Sequence, residues 1–170
     1  MIELEKTYLA KYLPKDLAKS ASKEIIDVYF PKEEEHPKLR IRKRGDKYRI
    51  TKKQPIQDGD ASTQKEQTIV LTEKEFESLN KLEGKRVRKI RYYYEFEERT
   101  AEIDLFQDEL NGLVTVDFEF ETEEEKEKFK MPDFCLADVT QEDFIAGGKL
   151  CGKTYKEIEK ELDKFEYKKL

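Results

Sequence analysis

The chain has 170 residues, 43% of them Asp, Glu, Lys or Arg and only 36% hydrophobic. That length suits one domain, 1–170, and ten Phe with nine Tyr supply the core that a charge-rich disordered chain lacks. The 34 basic and 39 acidic residues nearly cancel to a net charge of -5, which argues against a nucleic-acid binder that works by neutralising phosphates.

The start, Met1-Ile2-Glu3-Leu4-Glu5-Lys6, lacks the basic and then apolar regions of a signal peptide. It alternates instead, Glu3, Glu5 and Thr7 opposing Ile2 and Leu4, as a strand does. His36, the single histidine, precedes Pro37 and reads as a loop residue. Leu39-Arg40-Ile41-Arg42 sets two arginines against two aliphatics, and Arg49, Thr51 and Lys53 share a face opposite Tyr48 and Ile50. Gln54 to Asp60 holds Pro55 and Gly59 and reads as a loop between strands. Gln64, Glu66 and Thr68 then lie opposite Ile69 and Leu71 in parity.

Thr72 with Glu75 forms a capping box that predicts a helix carrying Phe76, Leu79 and Leu82 toward a core. Val87, Lys89, Arg91 and Tyr93 alternate with Ile90, Tyr92 and Tyr94. Glu102 and Asp104 oppose Ala101, Ile103 and Leu105, and Thr115, Asp117, Glu119 and Glu121 oppose Val114, Val116, Phe118 and Phe120. Two more boxes, Thr122 with Glu125 and Thr154 with Glu157, predict a short helix ending near Pro132 and a longer one with Tyr155, Ile158, Leu162 and Phe165 on one side. Cys135 and Cys151 are isolated and fit neither a disulfide framework nor a zinc site. No apolar run approaches the ~20 residues of a membrane helix, so a cytoplasmic protein without a membrane partner is expected.

An ordinary antiparallel sheet, wet on one face, would explain the alternation. The signs of the charges add something. Acids occupy the first strand, basic residues the strands near 40, 50 and 90, and acids return near 103 and 118. In a closed sheet, strands sorted in this way give a basic wall facing an acidic one. Such a cavity suits a polyphosphate with a divalent metal, since carboxylates are hard ligands for Mg²⁺ or Mn²⁺ and Arg and Lys grip phosphate oxygens.

In order along the chain, Glu3-Leu4-Glu5, Leu39-Arg40-Ile41-Arg42, Thr51-Lys52-Lys53, Lys89-Ile90-Arg91, Glu102-Ile103-Asp104, Asp117-Phe118-Glu119-Phe120 and Asp138-Val139-Thr140 resemble the CYTH domains, the triphosphate tunnel metalloenzymes. The resemblance implies an α+β fold, a closed antiparallel tunnel of eight strands with flanking helices. It implies metal-dependent hydrolysis of a small-molecule triphosphate (inorganic tripolyphosphate, or a nucleoside or thiamine triphosphate). Class IV adenylate cyclisation and non-catalytic triphosphate binding are the alternatives. By the same resemblance Glu3, Glu5, Asp117 and Glu119 hold Mg²⁺ or Mn²⁺, and Arg40, Arg42, Lys53, Lys89 and Arg91 hold the triphosphate. Catalysis would fall to Glu3, Glu5, Arg40, Lys53 and Glu119, with Glu66, Glu102 and Asp104 as further tunnel acids. One departure stands out: the signature lysine belongs at position 7, where this chain has Thr7, with Lys6 one place early and on the other face.

Gly147 to Thr154 matches the P-loop pattern GxxxxGK[ST]. No buried strand leads into it and only one helix follows, so the match is expected to be accidental, with Thr154 serving as a helix cap.

Overall fold

The computed structural model describes residues 2–56 and 61–170. The strands are β1 (Ile2–Ala10), β2 (Ala21–Phe30), β3 (Leu39–Arg44), β4 (Lys47–Pro55), β5 (Thr63–Leu71), β6 (Lys85–Phe96), β7 (Arg99–Phe106), β8 (Val114–Phe120) and β9 (Cys135–Asp138). The helices are α1 (Glu73–Leu79), α2 (Glu123–Lys128), α3 (Gly147–Leu150) and α4 (Tyr155–Leu162). Residues 57–60 of the loop expected between the fourth and fifth strands lie outside the described residues.

All strand pairings are antiparallel, in the order β5-β4-β3-β2-β6-β7-β8-β1, and β5 returns to β1 to close the ring. Eight strands make a barrel whose interior is about wide enough for side chains. The outer edge of β1 is divided: Ile2 to Leu4 pair with β5, while Tyr8 to Ala10 pair with the short β9. Charged β1, β7 and β8 are contiguous, as are β4, β3, β2 and β6. Strands four steps apart in a ring of eight face each other, so β8 looks across at β3 and β7 at β4. The acidic wall therefore faces the basic one.

β2 has no counterpart among the alternating segments read from the sequence. Its run Ile25-Ile26-Asp27-Val28-Tyr29-Phe30 is apolar on both faces apart from one acid, because both of its sides are covered.

Apolar side chains fill three places. Leu4, Tyr8, Ile103, Val116, Phe118 and Phe120 face outward from β1, β7 and β8 and pack with Phe134 and Phe129. Val28 and Ile41 pack under Phe76 of α1. A third cluster seals one end of the barrel: inward-facing Leu9, Tyr29, Val87 and Phe106 join Ile145, Leu150, Ile158 and Leu162 from the C-terminal segment.

The capping boxes of Thr72 and Thr154 are both formed. Thr122 accepts from the Glu125 amide as the N-cap of α2, which stops before Phe129 rather than reaching Pro132. One expectation needs correcting. Leu82 does not face a core; α1 ends at Leu79 and Leu82 lies in the following turn, 55% exposed. Phe165 likewise falls beyond α4 in a 3₁₀ turn, partly buried against the end cluster.

The turn into β6 depends on Gly84. A Cβ there would stand 2.6 Å from Val28 Cγ1, 2.8 Å from the Tyr29 carbonyl oxygen and 2.9 Å from Phe30 Cε1. Gly84→Ala is expected to push β2 aside and to destabilise the fold by about 1–3 kcal/mol, measured by urea unfolding against wild type.

Candidate active site

Residues directly paired across neighbouring strands share a face, and the register can be followed around the barrel. Glu3 stands beside Gln64 and Glu66 beside Lys53. Thr51 stands beside Arg40, Arg49 beside Arg42, and Arg42 beside Asp27. Ile25 lies beside Lys89, Arg91 beside Asp104, Glu102 beside Asp117, and Glu119 beside Glu5. The lumen therefore receives Glu3, Glu5, Arg40, Arg42, Lys53, Glu66, Lys89, Arg91, Glu102, Asp104, Asp117 and Glu119 together. Lys6 points the other way. It lines a separate cavity of about 310 Å³ on the outside of β1, with Ser62, Lys126, Asp138 and Thr140.

One bidentate pairing was not legible in the sequence. Asp27 is 1% exposed and accepts from Arg42 Nε at 2.6 Å and Nη2 at 2.7 Å, a bidentate charge-assisted pair. Burial alone would raise the Asp27 pKa; Arg42, with Arg40 and Lys89 behind it, holds it far below the usual carboxylate range. The available signal was a lone acid within an apolar run, which in a buried strand implies a partner.

Arg91 is fully engaged. Its Nε donates to Asp104 Oδ1 at 2.7 Å, its Nη2 to Asp104 Oδ2 at 2.6 Å and to Asp117 Oδ2 at 3.3 Å, and its Nη1 to Glu102. Lys89 donates to Asp104 as well and lies over the Phe106 ring. Burial would raise Asp104, but Arg91 and Lys89 bring it down to about 2. Burial lowers Lys89 more than Asp104 can restore. Arg91 thus ties β6 to β7 and β8, and little of its guanidinium is left for a ligand.

Arg40 differs. Its Nη1 donates to Tyr29 Oη at 3.1 Å, while its Nε is buried with no hydrogen-bond partner among the described residues. An unpaired buried donor on a charged group is costly, and here it faces the lumen. Nearer the open end, Arg44 and Arg49 extend the basic wall on β3 and β4.

On the acidic side, Lys53 Nζ lies 2.8 Å from Glu5 Oε1 and 2.5 Å from Glu3 Oε2. The Glu3 contact is an ion pair without hydrogen-bond geometry, since Oε2 has no hydrogen-bond partner among the described residues. Burial, then Glu3 and Asp117, leave the Glu5 carboxyl raised despite Lys53. Glu119 is reached by solvent, yet partial burial and crowding by Glu102, Glu3 and Glu5 push it up to about 7. Thr7 stands where the resemblance places a lysine, and its Oγ1 donates to Asp117 Oδ1 at 2.8 Å. That hydroxyl orients Asp117 and adds no charge.

Among the described residues, no three His, Cys, Asp or Glu side chains stand close enough together to hold a metal ion as placed. The chemistry of the donor set nevertheless suits a hard cation. Glu3, Glu5 and Glu119 are neighbouring oxygen donors whose mutual repulsion a cation relieves.

The P-loop match is an accident of sequence. Gly147 packs under Tyr29, where a Cβ would meet the hydroxyl at 2.3 Å. Thr154, the last residue of the match, caps α4 with its hydroxyl.

No family model matches the chain, and no curated protein matches it. Solved structures do match. The inorganic triphosphatase NE1496 is 24% identical, with 89% of this chain and 95% of that chain aligned at a TM-score of 0.64. A second NE1496 structure, described as a hypothetical protein, is 25% identical over 89% and 99%, again at 0.64. A putative adenylyl cyclase from Hippeastrum, described as having a dominant triphosphatase activity, is 14% identical over 74% and 82% at 0.52. The chain therefore shares the closed eight-stranded tunnel fold of these proteins, the architecture implied by its resemblance to the CYTH domains.

Proposed function

We propose that the protein hydrolyses a small-molecule triphosphate in its tunnel with the help of Mg²⁺ or Mn²⁺. The observation that carries this reading is Arg40: a half-buried side chain whose buried Nε has no hydrogen-bond partner among the described residues, facing a wall of carboxylates across a one-ended lumen. The fold shared with an inorganic triphosphatase supports it.

In this reading Arg40 receives phosphate oxygens directly, and Arg42 presents its remaining Nη1 from a guanidinium fixed by Asp27. Lys89 adds charge from deeper in the tunnel. Arg91 acts mainly as a brace, holding Asp104, Glu102 and Asp117 in place. Glu3, Glu5 and Glu119 would hold the metal, with Asp117 beside them under the control of Thr7. When bound, the metal neutralises charge on the phosphoryl group being transferred. The carboxylates left over, Glu102 among them, would orient the attacking water. Confinement between two walls excludes bulk water and strengthens each of these contacts.

Thr7 favours a second reading, a non-catalytic triphosphate binder, because the position supplies a hydroxyl in place of an ammonium. Phosphate release from tripolyphosphate, ATP and thiamine triphosphate tests both. We expect release from at least one of them that requires added Mg²⁺ or Mn²⁺ and stops with EDTA. Tight metal-dependent binding without turnover would select the binder, and cyclic AMP with pyrophosphate from ATP would select cyclisation.

A further inference from the structure

We propose that Lys53 is a displaceable internal cation: its ammonium occupies the place of the divalent ion between Glu3 and Glu5, and ion binding drives it off toward the anion. The inference rests on the metal-dependent reading above and goes beyond it by coupling the two binding events through one side chain.

The geometry is that of a stand-in. Lys53 Nζ is 2.5 Å from Glu3 Oε2 and 2.8 Å from Glu5 Oε1, and all three side chains are about three-quarters buried, with 22–23% exposed. One ammonium between two carboxylates leaves a net negative charge, which a divalent cation would cancel. The bridge is also uneven: the Glu5 contact alone has hydrogen-bond geometry. A strongly hydrated ammonium on a flexible four-carbon stem is readily moved.

Where the ammonium goes follows from the register. Lys53 lies on β4, directly opposite Glu66 of β5 and on the same inward face as Thr51, which pairs with Arg40. Released from β1, it stays in the lumen and swings toward the basic wall, where it adds a positive charge beside Arg40. Metal binding would then strengthen anion binding, and by linkage the anion would strengthen metal binding equally.

The test is a Mn²⁺ titration, read by the loss of the free-ion electron paramagnetic resonance signal, with no phosphate present. The proteins are wild type, Lys53→Met and the double variant Glu3→Gln/Glu5→Gln, each first shown to melt cooperatively. Removing the competitor is expected to tighten Mn²⁺ binding in Lys53→Met by roughly tenfold or more, equivalent to about 1.4 kcal/mol. Lys53→Gln, which keeps a polar group without charge, should behave likewise. Mn²⁺ should strengthen tripolyphosphate binding over that measured in EDTA by more in wild type than in Lys53→Met, because only wild type has an ammonium to release toward the anion. Equal or weaker Mn²⁺ binding in Lys53→Met, with binding still abolished in the double variant, overturns the displacement and leaves the metal site standing. Mn²⁺ binding that survives in the double variant, or is absent from wild type, overturns the displacement and the proposed metal site together.

Discussion

Arg40→Ala is expected to lower kcat/KM for the triphosphate substrate by about 10²–10³-fold, the usual cost of removing one pre-placed donor from developing negative charge. Arg40 keeps more unused donor capacity than Arg42 or Arg91. Asp27 takes two nitrogens of Arg42, and carboxylates take all of Arg91. Arg40→Lys keeps the charge but loses the planar fork, so it should recover only a small part of the loss. Because Arg40 bonds only Tyr29 Oη among the described residues, the alanine variant should melt close to wild type, which separates function from folding. Glu119→Ala, on the opposite wall, should also impair turnover. If both variants hydrolyse and bind the triphosphate normally, the tunnel is not the active site.

The largest stability effect should come from Asp104. This carboxylate is 0% exposed and accepts from both Arg91 and Lys89. Asp104→Ala leaves two buried cations short of their counter-ion, at a cost of about 3–5 kcal/mol. For a chain of this size that corresponds to a fall in Tm of roughly 6–20 °C, read by calorimetry or circular dichroism. Asp104→Asn keeps the shape and should cost nearly as much if charge, rather than a cavity, is the cause. The pair also sets a pH window. Asp104 is held at about 2, below its ordinary 3.8, so the unfolded chain binds this proton more readily than the folded one. The stabilisation is complete above about pH 4 and is lost as the pH falls toward 2. In Asp104→Asn that part of the acid sensitivity should disappear.

The sign-sorted strands made most of the barrel legible in advance. Leu39 to Arg42 and Glu102 to Leu105 each declare one apolar and one charged face, and a closed sheet is the arrangement that satisfies both. β2 escaped because burial on both sides removes alternation, and with it went Asp27, Tyr29 and the covered inner strand they define. β9 escaped because four residues are too few to show a period. For the site, the sequence named the charged residues but not their bookkeeping. Which cations are neutralised and which are left over depends on register between strands distant in sequence, such as Arg91 against Asp104 and Asp117. Arg91 and Arg40 look alike in the sequence, yet one is a brace and the other holds an unused donor. Thr7 was visible as a departure, but its hydroxyl bond to Asp117 requires β1 and β8 to be side by side.

The cluster of Leu9, Tyr29, Val87 and Phe106 beneath α4 makes the lumen a cul-de-sac. A linear anion can enter only by presenting one terminus, so a polymer cannot thread through, and a ring has no end to offer. Whatever is released must leave by the doorway through which the next molecule arrives. A fragment that lingers on the basic wall is therefore a cork, and the pace of the cycle depends on how soon it lets go.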